Sequence, residues 1–319
     1  SGGSFCANAN SMPADQLLAM SNKELCYKAW SHWQTSQQDS ALICYNIVAN
    51  RADKKQSREE LDYACWALTT MANIFAIDFY DYERSMQCIL KAEQIALKNN
   101  LNERLAHIFI SMASLEGEIN NIQQNFAFSH TVFELYRKTF HQSLKQENGQ
   151  RYTALAIINL ITLALGHHKL DLILNELEMF QDMTINDTIP ECVYAKHQCS
   201  AALFIQHQQY DSALLELMGL NDCLSMAEHE RPTYKAIAHE NLFFVYRDMK
   251  DHDAALHELE QLEIVSEQNN IKFGLIEALF LKRDYYASLG NTALAEKYDL
   301  QYHKAKDKFM AETKVAKAD

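Results

Sequence analysis

The residues with the types and spacing to do chemistry are few. "CVYAKHQC" brings Cys192, His197 and Cys199 within eight residues, the donor types of a zinc site. On a helix, at about 100° per residue, Cys192 and Cys199 share a face and His197 stands roughly 140° from Cys192. That spacing does not converge three ligands on one ion. His239 in "HEN" and His257 in "HEL" lack a second histidine four residues on, so neither builds a paired-imidazole zinc helix. His167 and His168 are neighbours on a polar turn, where adjacent side chains point apart. The histidines as a set are dispersed, which argues against a clustered pH sensor. The carboxylate pairs Glu176 with Glu178 and Asp251 with Asp253 fall where helices are expected to face water.

No glycine-rich phosphate loop and no G-x-S-x-G elbow occurs; the glycines are scattered. No catalytic residue, metal site or cofactor is therefore expected, and the chemistry to seek is that of binding.

The elements that must position a binding surface follow from composition. Only 8 Gly and 3 Pro occur among 319 residues, and 48% are hydrophobic. Sheets and tight hairpins need more turn residues than this, so an all-α chain is expected. A net charge of −13 would repel a phosphate backbone, and nucleic-acid binding by this segment is not expected. No apolar run reaches the roughly 18 residues of a spanning helix, so neither is membrane insertion by this segment.

The chain restates one turn. "IQHQQYDSALLEL" at 205–217 is followed by "YRDMKDHDAALHELEQL" and "YYASLGNTALAEKYDLQY", each with an alanine at the same place: Ala213, Ala255 and Ala295. Apolar residues recur at spacings of three and four on both sides. Each side is an amphipathic helix that cannot bury its face alone, so the pairs must stack. Going backwards, the pattern places its anchor at Ile173, with an insertion at the turn, then at Ala127, Ser85 and Ala41.

These residues resemble the tetratricopeptide repeat. Its pattern sets a small residue at position 8, aromatics near 11 and 17, Ala at 20 and a large residue at 24. Ala201, Phe204, Tyr210, Ala213 and Leu217 match it in the fifth unit, and Tyr286, Gly290 and Tyr302 match in the seventh. The units run to forty-odd residues against the usual 34. Such lengthened units resemble the input regions of bacterial sensor kinases, diguanylate cyclases and helix-turn-helix regulators. The implied fold is a right-handed α-α superhelix of about fourteen helices in seven pairs. It would span 21–302, after a leader or linker at 1–20 and before a helical extension at 303–319.

The resemblance also implies a site. First helices line the concave face of such arrays through positions 2, 5, 9 and 12. Carried over, these give Thr70 and Ile74, then Phe109, Met112 and Glu116, then Ile158 and Thr162. They continue with Gln198 and Ile205, then Glu240, Phe244 and Arg247, and end with Phe280 and Asp284. The apolar middle and the charged, aromatic end would suit an extended peptide or a protein helix. A second copy of the chain is a further partner, through Trp30 and Trp33 near the amino end.

The implied function is a non-enzymatic binding scaffold, the partner-sensing region of a bacterial signalling protein. A stand-alone cytosolic adaptor or peptide-responsive regulator is the alternative, and an enzyme or self-assembling structural protein ranks third. Ala7-Asn8-Ala9 fits the end of a secretory signal peptide and points to export. Seven cysteines placed inside expected helices, from Cys26 to Cys223, point to the cytoplasm instead.

Overall fold

The computed structural model describes residues 12–221 and 223–313. Cys6, the Ala7-Asn8-Ala9 motif and the end of the tail lie outside the described residues. The described residues form α-helices joined by short turns, in two compact units, residues 1–111 and 112–319.

The first unit begins with a short helix, α1 (Ala14–Ala19). Two helix pairs follow: α2 (Asn22–Gln34) with α3 (Gln38–Arg51), and α4 (Arg58–Ile77) with α5 (Tyr82–Lys98). The division between units falls within α6 (Asn102–Gln123). Ser21 and Ser57 open α2 and α4 with reciprocal capping boxes: each serine accepts from the backbone N–H three residues on, and Glu24 or Glu60 reaches back. Such a cap is worth about 1 kcal/mol. Part of the expected leader is thus built into the fold. Arg51 donates to the carbonyls of Leu18 and Met20 at 2.8 and 2.9 Å, and Leu17 is buried.

The core of this unit gathers around Trp66, with the rings of Tyr27, Tyr45 and Tyr63 centred 5.8, 6.4 and 6.2 Å away. Thr70, Ile74 and Phe109 are buried. Trp33 donates to Asp78 at 2.9 Å, whereas Trp30 is exposed. Burial pushes the thiols of Cys26 and Cys65 up to about 12, so they act as small apolar side chains.

The second unit continues from α6 into α7 (His130–Leu144) and then α8 (Gln150–Gly166). After α8 comes a 3-10 turn (Leu170–Ile173) that leads into α9 (Leu174–Asp182). The pairs α10 (Pro190–Gln206) with α11 (Tyr210–Met218), α12 (Arg231–Met249) with α13 (His252–Gln268), and α14 (Lys272–Ser288) with α15 (Thr292–Glu312) complete it. The seven expected pairs are therefore present, with α1 as an addition. The helix α15 runs unbroken to Glu312, and its Phe309 is buried against Phe273 at 4.9 Å.

Every turn inside a pair contains a residue in the left-handed region: Ser36, Tyr80, Asn125, His168, Gln208, Lys250 and Gly290. In six of them the anchor lies five residues later, at Ala41, Ser85, Ile173, Ala213, Ala255 and Ala295; the second helix starts two residues later in five, and after His168 the 3-10 turn does. All but Ala295 are buried, as the close approach of the two helices requires.

The third pair is different. Its second helix starts five residues after Asn125, three more than in those five turns, and the buried anchor is Phe133. Ala127, the expected anchor, is exposed in the turn. Small-residue matching picked the alanine inside the insertion and missed the aromatic in the helix. Two further expectations are corrected. Cys223 lies in the long connection between α11 and α12, not in a helix. Glu176 does not face water: it is buried beside Arg137 and His141 at 3.2 and 3.0 Å.

Candidate functional site

The second unit holds a half-open cavity of about 800 Å³. Its walls are mainly first helices of the pairs, the end of α6, then α8, α12 and α14, with Val132 and Tyr136 added from α7. The turn after α6 forms one rim through Asn125, Phe126 and Ala127. The aromatic lining comes from Phe126, Tyr136, Phe243, Phe244, Phe280 and Tyr285, and amides come from Asn120, Asn121, Asn125 and Asn159.

The helix α10 contributes nothing to this lining, although it is the first helix of its pair. The reason is that α8 and α12 meet in front of it. Asn241 on α12 donates to Thr162 Oγ1 on α8 at 3.1 Å. One end further along, Arg247 donates to the carbonyls of Leu165 and Gly166 at 2.9 and 3.3 Å, capping the C-terminus of α8. The Phe244 ring lies against Gly166, where an added Cβ would come within 3.0 Å of it. Gln198 of α10 sits behind this contact, buried, with its amide nitrogen 3.3–3.4 Å from Thr162, Asn241 and the Ile158 carbonyl.

Two carboxyls stand side by side on the wall. Glu240 on α12 and Glu277 on α14 are hydrogen-bonded to each other. Burial first, then the charge of Glu277, holds the Glu240 carboxyl well above the ordinary glutamate range. Burial raises Glu277 as well, while the bond from Glu240 eases it. Two adjacent carboxylates in a sheltered site cannot both ionise cheaply, so the pair holds a proton more firmly than a free glutamate does. The remaining charges on the lining are Glu118, Asp284 and Arg247, with His167 at the α8 terminus. Burial and the nearby Arg247 charge lower the His167 pKa, which keeps the imidazole neutral.

The rim turn is tied to the last helix. Asn125 Oδ1 accepts from the Tyr302 hydroxyl at 2.8 Å and from Lys306 Nζ at 2.7 Å. The Phe126 ring packs on Phe280 at 5.0 Å, and Phe280 packs on Tyr302 at 5.5 Å. Asn125 and Phe126 are both left-handed, with φ of 50° and 58°. Asparagine tolerates that conformation, but for a bulky residue it costs about 1–2 kcal/mol. The contacts with α14 and α15 hold Phe126 there.

Of the ten expected site residues, Glu240, Phe244, Arg247, Phe280 and Asp284 line the cavity. Met112, Gln198 and Ile205 are buried in the second unit, Phe109 is buried in the first, and Glu116 is half-buried off the lining. On α6 the lining face is Ser114, Gly117, Glu118 and Asn121, a different stripe from Met112 and Glu116. On α8 it is Asn159, Thr162 and Leu163, so Ile158 belongs to the core. Arg247 lines the cavity, but its donors go to Asp248 and to the α8 carbonyls, so it is a structural clamp and not a free ligand cation. Sequence reasoning missed Glu277. One helical turn back from Phe280 would have found it.

The zinc-type residues go elsewhere. Cys192 donates to the Gln150 carbonyl at 3.6 Å, and His197 pairs with Glu216 at 2.7 Å. His239 pairs with Glu258 across α12 and α13 at 2.6 Å.

No protein-family model matches the chain, and no curated protein matches it in sequence. Among solved structures it is similar to the apo form of RapI, known from a crystal structure. The TM-score is 0.43 and the identity 14%, over 90% of this chain and 77% of that one.

Proposed function

We propose that the chain is a non-catalytic binding scaffold whose second unit takes a short peptide in the cavity, as the sensing region of a bacterial signalling or regulatory protein. The observation that carries this reading is the cavity itself. It is of a size that shelters most of a ligand, and aromatic walls alternate with amide side chains. A carboxamide offers a donor and an acceptor together, the complement of a peptide backbone unit. Asn159 donates its amide to the Leu155 carbonyl at 2.8 Å, which turns its oxygen away from its own helix backbone. The link from the rim turn to Tyr302 and Lys306 supports a sensing role. A ligand that moves Phe126 or Phe280 also moves the contacts that hold α15. The unit-by-unit groove expected from the repeat becomes, in this reading, one half-open site.

A thermal-shift measurement tests the proposal. Pools of capped heptapeptides are compared with pools of free amino acids, sugars and nucleotides. A peptide near a hundred times its Kd should raise Tm by about 5 °C or more. The shift should disappear in Phe280→Ala. A shift from only the non-peptide pools would overturn the peptide reading.

A further inference from the structure

The helices α12 and α14 present the same short motif to the cavity. Glu240-Asn241-Leu242-Phe243 and Glu277-Ala278-Leu279-Phe280 both read E-x-L-F. In each, the leucine is buried in the core while the glutamate and the phenylalanine line the cavity. The two copies face each other closely enough for the carboxyls to bond. The result is a lining with two adjacent carboxyl groups and, one turn along each helix, an aromatic ring. Carboxylate and ring faces both attract a cation, and neither suits an anion.

We propose that the cavity receives its ligand by a positively charged group, an ammonium or guanidinium, seated between Glu240 and Glu277. This rests on the peptide reading of the cavity and deepens it: the group is a lysine or arginine side chain or a free amino terminus. Without ligand, a proton held by the pair lets the two carboxyls lie together in a sheltered place. With a cation between them, both become carboxylates and any proton the pair held leaves to solvent. The groups around the pair do not supply that cation. Tyr194 on α10, its pKa raised by burial, gives its hydroxyl to the Tyr234 carbonyl at 3.2 Å. Glu118 on α6 and Asp284 on α14 add negative charge. Arg247 lies about 10 Å further along α12 at 1.5 Å per residue and is bound to the α8 carbonyls. His167 beside it is held neutral. Binding is therefore expected to tighten as pH rises through the raised range of the pair.

The experiment uses the full chain and four heptapeptide pools, three of them capped at both ends. The capped pools carry lysine, arginine or norleucine at the centre; the fourth has central norleucine and a free amino terminus. Retention is compared for the wild type and for Glu240→Gln with Glu277→Gln. Calorimetry in two buffers of different ionisation enthalpy counts the protons released. The expected result is a preference of about tenfold or more for a charged pool over capped norleucine. Protons should be released in the raised range of the pair, and both effects should be lost in the double variant while its Tm stays near that of the wild type. Which charged pool leads tells side chain from amino terminus. Equal retention of charged and capped norleucine pools overturns the cation site and leaves the peptide reading standing. No retention of any pool overturns both. If the double variant unfolds, proton release and pH dependence in the wild type decide: binding of a charged pool with neither overturns the cation site.

Discussion

The turn at 207–209 and the turn at 124–129 close their first helices in the same way, yet only the second reaches a distant helix. Gln208 and Asn125 both sit in the left-handed region at the helix end. After Gln208 the chain enters α11 at once and Ala213 docks. After Asn125 three more residues intervene. They carry Phe126 to Phe280 and place Asn125 beneath Tyr302 and Lys306. The difference separates scaffold from site. The turn at 207–209 is determined by packing within its pair, while the turn at 124–129 is determined by contacts with pairs far apart in sequence.

The largest expected effect tests where the anchors lie. Ala213 has no free volume, so Ala213→Leu should overpack the pair and cost about 1–3 kcal/mol. Ala127→Leu, in the irregular turn, should stay within about 0.5 kcal/mol. Urea unfolding of both variants reads this directly. Equal costs would mean that Ala127 is an anchor after all and that the third turn is regular.

Next comes the aromatic bridge. Phe280→Ala removes the ring that joins Phe126 to Tyr302 and carries the Arg283 guanidinium 4.6 Å from its centre. A loss of about 2 kcal/mol is expected, below the fully buried value because the ring is half-buried. Hydrogen exchange should then speed up at 124–129 and in α15, while the turn at 207–209 keeps its protection. Uniform acceleration would show that the bridge is ordinary core.

A smaller effect separates the cavity carboxyls from the rest of the molecule. The folded pair binds a proton more firmly than the unfolded chain does. Its stabilising contribution is complete below the ordinary glutamate value and is lost as pH rises through the raised folded value. Between those two values the stability falls as pH rises. Glu240→Gln should flatten this part of the stability–pH curve. An unchanged slope would place the proton elsewhere.

How much of this was legible in the sequence follows the same division. The regular turns repeat local physics, a left-handed cap followed at a fixed distance by a small or docked residue, so Ala41, Ile173, Ala213 and Ala255 stood out. Glu240, Phe244, Phe280 and Asp284 come to the cavity lining because the repeat register holds near the carboxyl end. Gln198 and Ile205 were assigned to the inner face because each pair was taken to contribute equally. That fails where Asn241 and Arg247 draw α12 onto α8 and leave α10 behind. Such a contact spans roughly eighty residues, and no local period encodes it. The insertion after Asn125 was hidden for the opposite reason: Ala127 imitates the anchor locally, and only burial of Phe133 corrects it.

The smallest effect is a difference in sign. Glycine adopts φ near +55° without the Cβ clash, so replacing a left-handed residue by glycine usually helps. Gln208→Gly should stabilise the protein by roughly 0.5–1 kcal/mol, since Gln208 is exposed and its backbone alone closes the helix. Asn125→Gly makes the same backbone change at the equivalent position. Asparagine already tolerates the conformation, so little strain is relieved. The substitution also removes the acceptor shared by the Tyr302 hydroxyl and Lys306. A net loss of about 1 kcal/mol is expected from the two hydrogen bonds. Tyr302→Phe should reproduce part of that loss in the wild type and none of it in Asn125→Gly, because the partner is already gone. If Asn125→Gly stabilises as Gln208→Gly does, the contact with α15 holds nothing, and the turn at 124–129 is only a longer version of the others.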